Sequence, residues 1–332
     1  MASRPEPDAS AGCPLCGGGQ RRHLVTKRGC HVVRCGACGL VYVWPQPTPD
    51  ELEAFYSSGG YHAEVDEAER HHSFARRLAQ IEALAPRRGR VLDVGCSKGY
   101  FLDVACAEGW DTVGVDLNRN AVDAARARGL DVRHGDLCAQ EFADASFDVV
   151  TLFDLIEHTT DPRTTLAACH RLLRPGGLLM VTTPNIDGLV PRATYWLFAR
   201  TLGAWDHPTP PGHLVQFSRR TLRRMLESTG YEVAAYRAEH IPVGYSVGKL
   251  ENSIMDVLAG RHTAKPEPKA PPRECPGESA PTAAPRRRRF SPRSLVRPVV
   301  RAVAWVVVGG VGLVARATGR GDSMAVFARR EG

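Results

Sequence analysis

The sequence predicts an α/β fold built on a doubly wound, largely parallel sheet, with a small cysteine-rich module ahead of it. Three observations carry this expectation. Residues 91–102, VLDVGCSKGYFL, pass from an apolar strand through a small-residue turn into a helix, the junction at which such sheets bind nucleotide-like ligands. Twenty-three residues after Asp93, Val113-Gly114-Val115-Asp116 ends a second apolar run in another carboxylate, close to the separation expected of a ribose-binding acid. Strand and helix patterns then alternate as far as residue 237, which implies right-handed crossovers.

Length and composition agree with a globular protein. The 332 residues are 43% hydrophobic and 24% charged, enough for a full α/β core and a smaller module besides. The net charge of +7 is local, because nine arginines and no acidic residue lie between Glu278 and Asp322. The first residues, MASRPEPDASAG, contain no apolar run of the signal-peptide kind,. Ten cysteines in a chain of this size, four of them in CxxC pairs, point to a reducing cytoplasm and not to a disulfide scaffold.

Along the chain, residues 1–12 read as a disordered lead and 13–47 as a compact ribbon closed by Pro45-Gln46-Pro47. Thr48-Pro49-Asp50-Glu51 opens a larger domain over 48–259 with a capping box and a proline at the first helical position,. A helix follows over about 71–84. Strands are expected at 91–94, 111–115, 131–134, 147–153, 178–183 and 231–237, and helices at 99–108, 119–128, 162–173 and 218–229. Residues 185–217, rich in Pro, Gly and aromatics, interrupt the rhythm as a substrate-covering insertion would. Residues 260–292 have the composition of a flexible linker,. Residues 293–332 supply an Arg/Val helix and a last strand, SMAVFARR.

Asp93-x-Gly95-x-x-x-Gly99 resembles the first motif of the class I S-adenosylmethionine-dependent methyltransferases. Asp116 matches the acid that holds the ribose in that family, and Gly135-Asp136-Leu137 the segment at the adenine. Phe147-Asp148-Val149-Val150 with Leu152-Phe153-Asp154 resembles the fourth strand and its active-site end, and Leu173-Arg174-Pro175-Gly176-Gly177 the turn into the fifth. The pieces occur in the family's order over about residues 75–238. The resemblance implies a seven-stranded Rossmann-like sheet of order 3-2-1-4-5-7-6, with S-adenosylmethionine as cofactor. It assigns Asp93, Gly95, Cys96, Ser97 and Gly99 to the methionine end, Asp116 and Leu117 to the ribose side, Asp136 and Leu137 to the adenine, and Phe153 to the pocket. Ser97 departs from the family, where many members have glycine. A nicotinamide-binding domain would need GxGxxG, and the second glycine is missing.

Cys13-Pro14-Leu15-Cys16 and Cys35-Gly36-Ala37-Cys38 have the spacing of a four-thiolate zinc site. Four ligands close the shell, so such a zinc is structural, and Cys30 and His31 are spectators. The ribbon resembles that of zinc-ribbon sugar methyltransferases, so it does not by itself imply nucleic acid.

Asp154-x-x-Glu157-His158 would bring its side chains to one face of a helical turn. It resembles the ExxEH motif of ubiquinone-pathway O-methyltransferases and small-RNA 2′-O-methyltransferases, which implies a divalent metal, Mg2+ or another, with His213 as a further ligand. Asp154 is one methylene shorter than the family's first Glu. The alternative reading gives Glu157, His158 and His213 a catalytic or substrate-contacting role without metal.

Residues 302–315 are apolar between Arg301 and Arg316, fewer than the ~20 needed to span a bilayer. The region 286–316 therefore suits peripheral contact with a membrane, a lipid-tailed acceptor, or packing on the core. Nucleic acid is disfavoured, because the arginines are not interleaved with stacking aromatics. The expected reaction is methyl transfer to an oxygen of a small-molecule or lipid-linked acceptor. Sugar C- or N-methylation, RNA 2′-O-methylation and a non-catalytic binding module remain as alternatives.

Overall fold

The computed structural model describes residues 12–27, 30–48, 51–52, 67–85, 87–199, 201, 205, 207, 209–241, 243–258 and 293–331. The lead (all but Gly12), the linker at 260–292 and Arg286 to Arg289 lie outside the described residues. The chain opens with β1 (Arg21–Lys27), β2 (Cys30–Cys35) and β3 (Val41–Val43), followed by α1 (Glu67–Glu82). Then come β4 (Arg90–Val94), α2 (Tyr100–Ala107), β5 (Asp111–Asp116), α3 (Arg119–Arg126), β6 (Val132–His134) and β7 (Phe147–Phe153). They are followed by α4 (Pro162–Leu172), β8 (Leu173–Pro184), α5 (Leu189–Thr194), β9 (Val215–Gln216), α6 (Arg219–Glu227) and β10 (Tyr231–Glu239). Last are α7 (Val243–Leu258), α8 (Arg293–Thr318) and β11 (Ser323–Arg330).

The large sheet has the order β10-β11-β8-β7-β4-β5-β6, the 3-2-1-4-5-7-6 arrangement expected from the sequence. β4 to β8 are mutually parallel, and β11 lies antiparallel between β8 and β10. The strands are apolar nearly throughout because helices cover both faces. Leu92, Val94, Val150 and Leu152 point to one side, with Leu166 and Leu172 of α4 and Leu222 and Met225 of α6. Val91 and Val149 point to the other, with Leu78 and Ile81 of α1, Phe101 and Leu102 of α2, and Val122 of α3.

Local chemistry sets the helix starts. Asn118 caps α3 through the Ala121 amide, Asp161 caps α4 through the amides of Arg163 and Thr164, and Ser218 forms a capping box with Thr221 on α6, each cap contributing about 1 kcal/mol. The expected box before residue 52 is also present. The Thr48 hydroxyl accepts from the Glu51 amide at 3.3 Å, and Glu51 accepts from the Thr48 amide at 3.0 Å.

The ribbon is not closed by its own residues. Its sheet has the order β1-β2-β3-β9, and β9 comes from residues 215–216, inside the stretch expected to be an irregular insertion. β3 pairs antiparallel with β9 through Val41–Gln216 and Tyr42–Val215. This pairing joins the ribbon to the segment that carries His213.

Candidate active site

The turn after β4 is built for close backbone packing. Gly95 has φ +74° and Gly99 φ +77°, the left-handed region that favours glycine. The amides of Gly95 and Cys96 both donate to the Val115 carbonyl, at 2.8 and 3.2 Å, which ties the turn to the end of β5. Ser97 also has a left-handed φ, +50°, so the position where the family has glycine is one where glycine costs least. A Cβ at Gly99 would lie 2.6 Å from Leu130 Cδ1. Gly99→Ala is therefore expected to destabilise the fold by about 1–3 kcal/mol, measured by urea unfolding.

Two carboxylates meet at this turn. Asp93 is buried and accepts the Thr151 hydroxyl at 2.7 Å. Burial lifts its pKa to about 7, the Thr151 hydrogen bond opposing and the Asp116 charge reinforcing the shift. Asp116 accepts the amides of Ser97 and Asn118, each at 2.7 Å. A carboxylate offers about four acceptor sites, so it keeps capacity for two ligand hydroxyls. Leu117, next in the chain, is 67% exposed and offers an open apolar face. Asp136 accepts the Cys138 amide and caps the short turn Leu137–Ala139, in which Leu137 is buried.

The far wall comes from α1, which the sequence motifs did not indicate. Phe153, at the end of β7, packs between Phe74 and Phe101 with ring centroids 5.4 and 4.8 Å away. The Arg77 guanidinium lies 5.3 Å over the Phe153 ring. Its Nη2 pairs with Glu239 at 3.2 Å, whereas Nη1 is buried with no partner. A signal existed. Arg77 falls at the i+3 place of the apolar stripe Phe74, Leu78, Ile81, where a charged side chain is out of pattern.

On the other side of β7 the structure brings Glu157, His158 and His213 together, with one ligand atom of each within 4.8 Å of the others. Glu157 and His158 lie on the 3-10 turn Ile156–His158. His158 Nδ1 donates to the Gly212 carbonyl at 2.8 Å, and the His158 and His213 rings meet edge to face at 4.6 Å. The Leu214 amide donates to the Glu157 carbonyl at 2.7 Å. Asp154 does not join this group, contrary to the expectation of a common helical face. Its φ of +49° places it before the turn, and its carboxylate accepts the Thr182 hydroxyl at 3.1 Å.

Burial disfavours charge on each member of the cluster. Burial, then the Asp154 charge, holds the Glu157 carboxyl well above the usual range. Burial pulls His158 down to about 4, against the Gly212 hydrogen bond, and pulls His213 well below the ordinary histidine value. Lys249 of α7 adds a positive charge that further disfavours protonation of both rings. Glu157 Oε1 and His213 Nδ1 are buried without partners. Two imidazoles and one carboxylate with orphaned atoms fit a divalent ion, and that donor set suits a transition metal better than the all-oxygen preference of Mg2+.

The four ribbon cysteines converge. Cys13 and Cys38 sulfurs are 3.5 Å apart, Cys16 and Cys35 3.6 Å, and all four lie within 4.8 Å. A tetrahedral ion with Zn–S of about 2.3 Å needs sulfurs about 3.8 Å apart. Burial raises the Cys35 thiol, but hydrogen bonds from the Cys38 and Ala37 amides and with the Cys16 and Cys38 side chains together bring it down to about 7. Cys30 and His31 are outside the cluster, and His31 Nδ1 bonds the Thr26 hydroxyl at 3.0 Å.

The strand order and the carboxylates at the ends of β4 and β5 define a Rossmann-like domain of the class I methyltransferase type. Residues 67–236 match the family model described as a methyltransferase domain. The chain belongs to that family. It is 35% identical over 170 residues to a Mycolicibacterium smegmatis protein named a probable S-adenosylmethionine-dependent methyltransferase, covering 50% of this chain and 62% of the relative. It is 33% identical over 143 residues to a ubiquinone biosynthesis O-methyltransferase of Paracidovorax citrulli, covering 36% and 60%. Against the enzyme of the same name in Thiobacillus denitrificans it is 32% identical over 169 residues, covering 46% and 73%. The chain thus spans about three fifths of the length of the first two relatives.

Proposed function

We propose that the protein transfers the methyl group of S-adenosylmethionine to an oxygen of a small-molecule or lipid-linked acceptor. The observation that carries the reading is the Asp93–Asp116 pair at the ends of adjacent strands, on a glycine-supported turn. In this reading Asp93 takes the cofactor's ammonium group and the buried Nη1 of Arg77 its carboxylate. Asp116 takes the ribose hydroxyls, and Leu117 with Asp136 and Leu137 borders the adenine. Phe153 backs the sulfonium, and the Phe74–Phe101–Phe153 stack excludes water from it.

The methyl group leaves a positively charged sulfur, so alignment and dehydration supply most of the rate. An acceptor hydroxyl must also lose its proton. His158, held neutral and oriented by the Gly212 carbonyl, is the base in this reading, with Glu157 and His213 flanking the acceptor. The same three side chains would hold a divalent cation, whose chemistry when bound is to lower the pKa of the acceptor hydroxyl. The ribbon cysteines hold structural zinc, which requires reduced thiols and supports a cytoplasmic setting.

The test is methyl transfer from labelled cofactor to hydroxyl acceptors, with products identified by mass spectrometry. His158→Ala is expected to lower kcat by about 10²–10⁴ while cofactor affinity stays within about twofold of wild type. Products methylated on carbon or nitrogen would sink the oxygen assignment. Retained activity after removal of all metal outside the ribbon would leave the base route alone.

A second result follows from Asp93. Its carboxyl is held up near 7, and a docked ammonium group favours its charged form. Cofactor binding should therefore release protons below about pH 7, tightening as pH rises towards about 7 and levelling off above it. Calorimetry in buffers of different ionisation enthalpy reads this directly. No proton release would remove Asp93 from contact with the ammonium.

A further inference from the structure

α8 is anomalous for a helix facing water. Its inner side is ordinary, with Ala304, Val308 and Ala315 buried near Val190 of α5 and Val247, Leu250 and Ile254 of α7. Its outer side carries Val299, Val303, Val306 and Leu313, which are 63%, 49%, 77% and 70% exposed. Their spacings of four, three and seven residues place them on one stripe. Between Arg301 and Arg316 the helix has no charged, amide or hydroxyl side chain. Trp305 is also exposed, and the neighbouring turn Tyr195–Ala199, anchored in the same cluster by Phe198, leaves Trp196 and Leu197 exposed. An exposed apolar stripe of this kind marks an interaction site.

Charge and topology select what covers it. Contrary to the count over 302–315 alone, the helix over Arg297–Thr318 is long and apolar enough to cross a bilayer by length and composition, but its inner side is packed into the fold. Its end at Thr318 is also pinned, because β11 begins at Ser323 between β8 and β10. A second copy fits poorly. α8 contains no acidic residue and has Arg293, Arg297 and Arg301 near its start and Arg316 near its end. Pairing it with itself in either direction sets arginine against arginine. Arg297 and Arg301 share the helical face of Ala304 and Val308 but stay 62% and 65% exposed. An anionic surface therefore matches this pattern, with its headgroups meeting the arginines above the stripe while the stripe enters the acyl boundary. Arg297 and Arg301 share the one buried carboxylate of Glu251, so a net positive charge remains at that end.

We propose that the outer stripe of α8 docks the protein on the surface of an anionic bilayer, lying in the interface without crossing it. The proposal stands apart from the methyltransferase reading, and its test does not use activity.

The full chain is sedimented with vesicles of phosphatidylcholine alone and with a minority of phosphatidylglycerol. Binding to the anionic vesicles is expected, weaker by about tenfold or more on the neutral ones and falling as salt rises. Val306→Asp and Leu313→Asp should each reduce it by about tenfold or more. Both positions are exposed, so circular dichroism and Tm should not change. Absence of binding, or equal binding to both vesicle types, overturns the proposal. A concentration-dependent dimer that Val306→Asp dissociates, with no vesicle binding, assigns the surface to a second copy.

Discussion

Replacing Asp116 by alanine is expected to abolish cofactor binding at accessible concentrations. Calorimetry should show micromolar-range affinity for S-adenosylmethionine in the wild type and a loss of about 100-fold or more in the variant. The magnitude follows from two charged hydrogen bonds of about 1.5–3 kcal/mol each. The carboxylate also orders its own surroundings, because the Ser97 and Asn118 amides both donate to it. Asp116→Asn keeps the shape and one acceptor and should fall between the two, which separates lost ligand contacts from a disturbed turn. Unchanged affinity in Asp116→Ala would remove this residue from the ribose.

The second large effect concerns the ribbon. Elemental analysis of protein purified without chelator should give one zinc per chain, and Cys35→Ser or Cys38→Ser should lose it. A structural zinc contributes roughly 10–16 kcal/mol of apparent binding free energy at neutral pH, so β1 to β3 should unfold when it leaves. The damage should then travel in one direction. β3 pairs with β9, and the Val43 amide donates to the Leu214 carbonyl at 2.8 Å, next to His213. Among the described residues, the Asp93–Asp116 turn makes no such link. Methyl transfer is expected to fall at least tenfold while cofactor affinity is retained. Equal loss of both would show that the ribbon supports the whole domain and not the acceptor side.

Much of this architecture was legible because its signals are short in sequence. Strand ends were readable within about two residues in most cases. Apolar runs such as FDVVTLF are bounded by polar turns, and caps such as Asp161 and Ser218 act over three residues. The turn after β4 could be placed because Asp93, Gly95 and Gly99 are constrained by one local geometry. β8 was the exception. Its first residue, Leu173, pairs with Phe147, but Arg174 to Gly177 bulge out without strand partners, with Gly176 at φ +74°, and continuous pairing begins at the expected 178. The missed features all depend on distant partners. Arg77 interrupts the apolar stripe of its helix, but what it meets is set only when Phe153 and Glu239 are brought against it. Residues 215–216 have no strand pattern of their own, and β3 confers it. Asp154 keeps a helical spacing to Glu157 and His158, but its backbone follows Thr182 instead.

By itself the sequence determined the α/β class, the strand order implied by its motifs, the two acids at the ends of β4 and β5 and the set of four clustered cysteines. Each of these rests on contacts within a few residues or on a topology that admits few solutions. Tertiary structure alone decided that Glu157, His158 and His213 meet without Asp154, that the ribbon borrows a strand from the segment beside His213, and which half of α8 faces outward. Those outcomes depend on loops of tens to hundreds of residues closing onto particular surfaces. The balance between burial and chain entropy that sets such closures is a property of the whole packed chain.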